Sequence, residues 1–140
     1  MLQSCNKLFI KLALFACLCF VISGQPVWGS GDWLFDLEQA LKEAKSQKKM
    51  VLVDITAEWC RFCTKMNVEI FQKNEFRKIV SDTYVLVSID ADQQREVVEK
   101  YAVQGLPTVV FLDLEGKEIH RIVGYRTYNE FMEELKKIKM

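Results

Sequence analysis

Two cysteines spaced as Cys-x-x-Cys constrain this chain more than any other feature. Cys60 and Cys63 follow Met50–Ala57, a run rich in β-branched and apolar residues that predicts a short buried strand. Because the residues after Cys63 are compatible with a helix, we expect the cysteines at a strand-to-helix turn. A helix N-terminus carries partial positive charge and unpaired N–H groups, which favour a thiolate over a thiol. We therefore predict that Cys60 is an accessible nucleophile and that Cys63 is the resolving thiol about one turn later.

The first 24 residues differ in character from the rest of the chain. Lys7 and Lys11 precede an apolar run over residues 12–22, which is shorter than the roughly 20 residues that span a bilayer. The pattern predicts a secretory signal peptide over residues 1–24, a flexible Gly/Ser/Pro remnant over 25–31 and one domain over 32–140. The segment Leu14-Phe-Ala-Cys17 loosely resembles a lipobox, so a lipoprotein anchor is the less favoured alternative.

Removal of this leader changes both the cysteine count and the net charge. The whole chain has five cysteines and 19 basic against 19 acidic residues; without the leader it keeps two cysteines and 17 basic residues, a net charge of −2. A mildly acidic domain has no electrostatic footprint for nucleic acid. In an oxidising exported compartment, a lone cysteine pair can cycle without scrambling against other thiols. We expect an exported, monomeric protein that binds no nucleic acid.

Two other interpretations compete with a redox role for Cys60 and Cys63. Tetrahedral zinc needs four ligands, and after the leader the sequence offers one histidine, His120, and no third cysteine. A static disulfide across two intervening residues closes a very small loop and contributes little stability. A redox-active pair is therefore favoured, with no metal and no cofactor beyond the disulfide itself.

Hydrophobic periodicity predicts an α/β domain with the element order α-β-α-β-α-β-β-α. The first predicted helix has Asp32 as its N-cap and ends near residues 47–49; it is followed by a strand over 50–57 and a helix that continues from 63 to 71. A further helical segment, 75–80, is capped by Asn74 and leads to a strand over 84–90. The remaining predicted elements are a helix over 92–103, antiparallel strands at 109–112 and 118–123, and a helix over 128–139. This order indicates a mixed central sheet with helices on both faces.

The segment Asp54-Ile-Thr-Ala-Glu-Trp-Cys-Arg-Phe-Cys63 resembles the active-site segment of the thioredoxin superfamily. Members of that superfamily carry an acid six residues before the first cysteine and a Trp immediately before it. With Met66, Phe71 and Gly105-Leu-Pro-Thr108 included, the chain from about Asp32 onward is most similar to the periplasmic C-terminal thioredoxin domain of DsbD-type thiol:disulfide interchange proteins and to secreted stand-alone relatives. The resemblance implies the thioredoxin fold, protein thiol/disulfide substrates, a membrane-embedded electron donor and a bacterial periplasmic location.

Two acids are candidate catalytic groups. Asp54 lies among apolar strand residues, where burial should raise its pKa and make it a proton acceptor for Cys63 through water. The alternative is a solvated Asp at the end of the strand. Glu58 matches an acid that is common at its position in the superfamily, or it is only an exposed loop charge.

Five residues are candidates for substrate binding. The resemblance implies a cis peptide bond before Pro107, which would present the backbone of Leu106 to a substrate strand beside Cys60. An ordinary trans proline at the start of a strand is the alternative. Gly124 matches a glycine that flanks the substrate groove in relatives. Trp59 and Phe62 are predicted to be exposed apolar groups at the docking surface.

The residues between and after the cysteines depart from the pattern of well-known relatives. Arg61 beside Cys60 favours the thiolate and tunes the pair towards an oxidising potential, whereas Phe62 adds no charge. Relatives often have Lys and Glu in the following helix where this chain has Thr64 and Asn67. We favour a net reductase, because the resemblance is strongest to a reducing domain; an oxidase or isomerase, and a redox-inert binding module or chaperone, are the alternatives.

Overall fold

The central strand of the domain is β1 (Met50–Thr56), which hydrogen-bonds on both sides. In the computed structural model, which describes residues 32–138, β1 is parallel to β2 (Tyr84–Asp90) and antiparallel to β3 (Thr108–Leu112). The remaining strand, β4 (Glu118–Val123), is antiparallel to β3, which gives the strand order β2-β1-β3-β4. The sheet is mixed, as the sequence predicts.

Successive β1 side chains enter two separate hydrophobic cores, because neighbouring residues of a strand point to opposite faces. Val51, Val53 and Ile55 pack with α1 (Leu37–Gln47) and α4 (Arg95–Lys100). Met50 and Leu52 belong to the other core, which receives the remaining helices. Those helices are α2 (Arg61–Met66), a π-helix (Asn67–Phe71), α3 (Asn74–Val80) and α5 (Tyr128–Lys137). Helices therefore cover both faces of the sheet.

Four phenylalanines hold the second core together. Phe131 packs with Phe71 at 5.6 Å, with Phe76 at 5.8 Å and with Phe111 at 6.4 Å between ring centroids. Phe131 is the buried residue of α5, whose N-terminus is closed by a capping box from Thr127. Phe131 is therefore the main contact of this helix with the core, and the partly buried Tyr128, Met132 and Leu135 pack around it.

The first helix begins later than the sequence suggests. Its N-cap is Asp36, whose Oδ1 accepts the backbone N–H of Gln39 at 2.7 Å, so the prediction of Asp32 as the cap is wrong. The residues before Asp36 are held extended because Leu34 exchanges two backbone hydrogen bonds with β2, at 2.9 and 2.8 Å. This pairing adds a short parallel bridge at the outer edge of the sheet.

Other boundaries also differ from prediction. The helix predicted to continue to residue 71 changes from an α-helix to a π-helix at Asn67. Asn74, predicted as a cap, is instead the first residue of α3, and Lys73 is the N-cap. The strand 50–57 ends one residue earlier, at Thr56.

The helix predicted over 92–103 is limited to α4, residues 95–100. At its start, the carboxylate of Asp90 accepts the backbone N–H of Asp92 and the side-chain amide of Gln93, which stabilises a turn instead of helix. At its end, Ala102 adopts a left-handed conformation with φ 48°.

The predictions for the N-terminal segment fall on residues that the structure does not describe. The predicted signal peptide (1–24), lipobox and remnant (25–31) lie outside the described residues, as do residues 139–140. Within residues 32–138, no helix is both long and apolar enough to cross a bilayer.

Replacement of Phe131 by Ala should lower the free energy of unfolding by about 3–5 kcal/mol, because it removes a fully buried ring and leaves a cavity between α5 and the sheet. Urea denaturation measures the change. The control is Ile79→Ala on α3, which is 49% exposed and should cost less than about 1 kcal/mol. Equal losses in the two variants would contradict the assigned anchor.

Candidate active site

Cys60 and Cys63 form a disulfide at the junction between β1 and α2, as the sequence predicts for their location. Cys60 is the N-cap of α2, and its Sγ accepts the backbone N–H of Cys63 at 3.1 Å. A backbone N–H that donates to sulfur stabilises negative charge there and therefore favours the thiolate. This N–H is therefore aimed at the sulfur that the sequence predicts as the nucleophile.

The prediction that Cys60 is openly accessible is wrong for this disulfide state. Cys60 is 6% exposed and Cys63 is 4% exposed. Both cysteines pack with Ala57, and the half-buried Leu106 packs against the same cluster. A partner that reaches the sulfur atoms must therefore also contact these neighbours.

Asp54 is buried in β1, on the same face of the sheet as Leu52. Its register partners are Ser88 of β2 and Val109 of β3, and it is 7% exposed. Burial raises the pKa of the Asp54 carboxyl from 3.8 to about 7, because the apolar surroundings disfavour the charged form. Asp54 can therefore both accept and release a proton near neutral pH.

Asp54 and Cys63 line the same cleft, which has a volume of about 480 Å³ and opens to solvent. Glu58 and Thr56 line it as well, and Asn67 contributes from the π-helix. The cleft gives water a route to the Asp54 carboxyl beside Cys63. This arrangement suits proton transfer through water between the acid and the thiol.

The loop before β3 lies against the loop after β4. The Leu106–Pro107 peptide bond is cis. The backbone N–H of Gly124, which has φ 82°, donates to the carbonyl oxygen of Pro107 at 2.8 Å. The structure thus brings three of the predicted substrate-binding residues together next to the disulfide.

Two large apolar side chains flank the disulfide. Trp59 is 68% exposed and Phe62 is 61% exposed, which confirms the exposure predicted for both. The Trp59 indole N–H donates to Asp92 Oδ2 at 2.8 Å, and Phe62 packs against the Tyr125 ring at 6.0 Å. Arg61, between the cysteines, is exposed to solvent.

The residues that contact these aromatic groups were not predicted from the sequence. Asp92 accepts from Trp59, and the Tyr125 hydroxyl donates to Glu69 on the π-helix while Lys65 lies 4.5 Å from the Tyr125 ring centroid. Asp92 follows β2 at the end of the sheet where Cys60 follows β1. The parallel pairing of these two strands was therefore the signal that could have placed Asp92 near the cysteines. No local sequence pattern indicated the partnership of Tyr125 and Glu69.

Residues 32–138 contain no group of three or more His, Cys, Asp and Glu side chains arranged to hold a metal ion. His120 lies on β4, where its Nε2 is 3.4 Å from Glu134 and its ring packs against Phe111.

A mixed sheet covered by helices on both faces, with a Cys-x-x-Cys disulfide after its central strand, defines a thioredoxin-fold protein. The family model described as "Thioredoxin-like domain" matches residues 37–139. The chain therefore belongs to the thioredoxin-like domain family.

Similar proteins include the thiol:disulfide interchange protein DsbD from two bacteria. The protein from Colwellia psychrerythraea is 32% identical over 111 residues, which cover 75% of this chain and 18% of DsbD. The one from Pseudoalteromonas atlantica is 34% identical, covering 75% of this chain and 19% of DsbD. The chain thus spans less than a fifth of the length of these relatives.

Solved structures support the fold. The solution structure of a thioredoxin from Thermus thermophilus aligns with a TM-score of 0.69 and 29% identity, covering 78% of this chain and 87% of that one. A structure described as "DsbH Oxidoreductase" aligns with a TM-score of 0.65 over 89% of this chain and 96% of its own; at 23% identity it supports the fold alone.

Replacement of Asp54 by Asn should stabilise the protein in a pH-dependent way. A carboxyl whose pKa rises on folding costs stability once the pH exceeds its pKa in the unfolded chain, and the cost grows until the pH passes the folded-state pKa of about 7. At pH 8 we expect Asp54→Asn to raise the free energy of unfolding by about 2–4 kcal/mol. The gain should vanish near pH 4.

Urea denaturation of the oxidised protein at pH 4, 6 and 8 measures this dependence. Asp82→Asn, the same change at an exposed site, is the matched control and should have little effect at any pH. A gain for Asp54→Asn that does not change between pH 4 and pH 8 would show that burial does not perturb this carboxyl.

Proposed function

We propose that this chain is an exported thiol:disulfide oxidoreductase that exchanges disulfides with protein substrates through Cys60 and Cys63. The observation that carries the proposal is the disulfide at the N-terminus of α2, with a buried carboxyl of raised pKa in the cleft beside its second cysteine. A purely structural disulfide would need neither the N–H donated to Cys60 nor the acid at Asp54.

The reductive direction proceeds in two exchange steps. The Cys60 thiolate attacks one sulfur of a substrate disulfide, which forms a mixed disulfide and releases a substrate thiolate that takes a proton from water. Cys63 then loses its proton to Asp54 through water, and its thiolate attacks Cys60 Sγ. The second substrate thiolate leaves and is protonated. Two electrons pass from the protein dithiol to the substrate, and the Cys60–Cys63 disulfide is formed.

The substrate-binding surface in this proposal surrounds the disulfide. An extended substrate segment pairs with the backbone of Leu106, next to Pro107, while Gly124 leaves room on one side. Trp59 and Phe62 supply exposed apolar contacts on the two flanks of Cys60. Glu58, which lines the cleft with Asp54, assists proton movement at the entrance.

Net reduction in the periplasm is the favoured direction. The DsbD relatives, named for thiol:disulfide interchange, support the exchange reaction itself. In this proposal a membrane-embedded donor returns electrons to Cys60 and Cys63. An oxidase or isomerase is the second candidate, since Arg61 beside Cys60 favours the thiolate and thereby a more oxidising potential.

Insulin reduction with dithiothreitol as electron source tests the activity. The wild-type protein should accelerate the precipitation of insulin chains, and Cys60→Ser should abolish that acceleration because the attacking sulfur is gone. Cys63→Ala should instead accumulate a mixed disulfide with the substrate, visible by mass spectrometry. Turnover that survives Cys60→Ser would refute the proposed chemistry.

Asp54→Asn should slow the resolution of the mixed disulfide by tenfold or more at pH 7, since positioned proton transfer typically contributes about 10²–10⁴ in rate. Rapid-mixing kinetics followed by acid quench measures this step. The rate–pH profile should also lose its inflection near the Asp54 pKa of about 7.

Glu58→Gln is the matched comparison, because it makes the same carboxyl-to-amide change at an exposed position. We expect it to slow resolution by less than about threefold, as an exposed charge interacts weakly through water. An unchanged profile in Asp54→Asn would remove Asp54 from the mechanism.

A redox-inert binding module would use the exposed Trp59 and Phe62 without the sulfur chemistry. In that case client binding would be the same after replacement of both cysteines by Ala. Loss of covalent capture with the double replacement favours the oxidoreductase.

A further inference from the structure

The active-site end of the sheet has two flanks that lie at opposite edges. Strands β2 and β1 are parallel, so the loop after Asp90 lies at the same end as Cys60. Strand β3 is antiparallel to β1, and β4 is antiparallel to β3, so β4 runs in the same direction as β1. It therefore also ends at the active-site end, at Val123. The strand order β2-β1-β3-β4 places the loop 91–94 at one edge, the loop 124–127 at the other and the disulfide between them.

The flank at the β2 edge is acidic. Asp92 holds the Trp59 indole N–H, and Asp90 and Glu58 both line the cleft on this side of the disulfide. The carboxylate of Asp90 also accepts the backbone N–H of Asp92 and the side-chain amide of Gln93, which fixes the loop. Asp92, Asp90 and Glu58 therefore give this flank an excess of negative charge over Arg77, which also lines the cleft.

The flank at the β4 edge is aromatic and basic. Phe62 packs on Tyr125 with ring centroids 6.0 Å apart, and Lys65 Nζ lies 4.5 Å from the Tyr125 centroid. The acid on this side, Glu69, accepts the Tyr125 hydroxyl and is 3.9 Å from Lys65, so its charge is compensated. Because Lys65 and Glu69 offset each other, Arg126 supplies the net positive charge of this flank.

Arg126 lies beside the loop that contacts Pro107. A Cβ built on Gly124 would be 3.8 Å from Arg126 Nη1, and the Gly124 N–H donates to the carbonyl of Pro107 at 2.8 Å. Arg126 Nη1 donates to the Tyr125 carbonyl at 2.9 Å.

Arg126 forms no ion pair with any of residues 32–138. The pKa of Glu130 is lowered chiefly by the N–H and O–H of Thr127, which bond its carboxylate, and only in the last place by the charge of Arg126. A guanidinium with free N–H groups thus borders the substrate groove, where it can bind a carboxylate.

We propose that Phe62, Tyr125 and Arg126 form a specificity wall, and that the substrate is an extended cysteine-bearing segment with opposite charges on the two sides of its cysteine. An acidic residue contacts Arg126 at the β4 edge, and a basic residue faces Asp92 at the β2 edge. This inference rests on the proposed function and adds to it the charge order of the substrate.

Two disulfide-linked peptide dimers of the same composition test the proposal. One peptide carries Glu before and Lys after its single cysteine, and the other carries the reverse order, so net charge and apolar content are equal. The reduced protein transfers two electrons to each dimer and releases two peptide thiols. At low salt we expect the second-order rate constant of this single turnover to differ between the two orders by about threefold or more, as for a few exposed charge pairs, and to converge at 0.5 M salt.

Arg126→Glu should reverse or abolish the preference, and Arg126→Lys should retain it. Lys45→Glu is the matched control, because it changes the net charge equally at the exposed far end of α1 and should leave the preference intact. Equal rates for the two orders in the wild type, or a preference unaffected by Arg126→Glu, would overturn the charge-order inference while the exchange activity stands. No exchange with either peptide would overturn both this inference and the proposed function.

Discussion

Strand β1 hydrogen-bonds to β2 on one side and to β3 on the other, and this pairing fixes the positions of the other elements. A strand with hydrogen-bonded neighbours on both sides and helices on both faces must be apolar nearly throughout, and Val51, Leu52, Val53 and Ile55 are fully buried. Such a strand is rigid, and its end therefore presents the turn before Cys60 at one place relative to β2, β3 and β4. The disulfide packs with Ala57, which follows β1, and with Leu106 from the loop before β3.

Within this apolar strand, Asp54 is a buried acid whose ionisation costs stability. Its neighbours along β1 and across the sheet are mostly apolar, and burial raises the pKa of its carboxyl to about 7. A residue such as Val at this position would suit the core better, yet it could not accept a proton from Cys63. The adjoining cleft, which also reaches Cys63, supplies the water that an isolated buried acid would lack.

The sequence was sufficient for the parts of the fold that follow from periodicity and for the site residues that follow from spacing. The mixed sheet, the limits of β2 and β4, and the location of Cys60 at a helix start were all predicted correctly. The start of α1 was not, because it depends on a tertiary bridge from Leu34 to β2. The π-helix was not predicted either. The packing of Phe62 on Tyr125 and the hydrogen bond from Tyr125 to Glu69 also escaped prediction, since each joins segments distant in sequence.

The exposure of Cys60 was likewise set by tertiary contacts, because Leu106 packs over the disulfide from a loop more than forty residues away. The reduction potential of the Cys60–Cys63 couple, measured by equilibration with dithiothreitol, shows whether this covered disulfide exchanges electrons reversibly. We expect a value between about −120 and −270 mV, nearer the reducing end. A value below about −300 mV, typical of structural disulfides, would rule out reversible exchange.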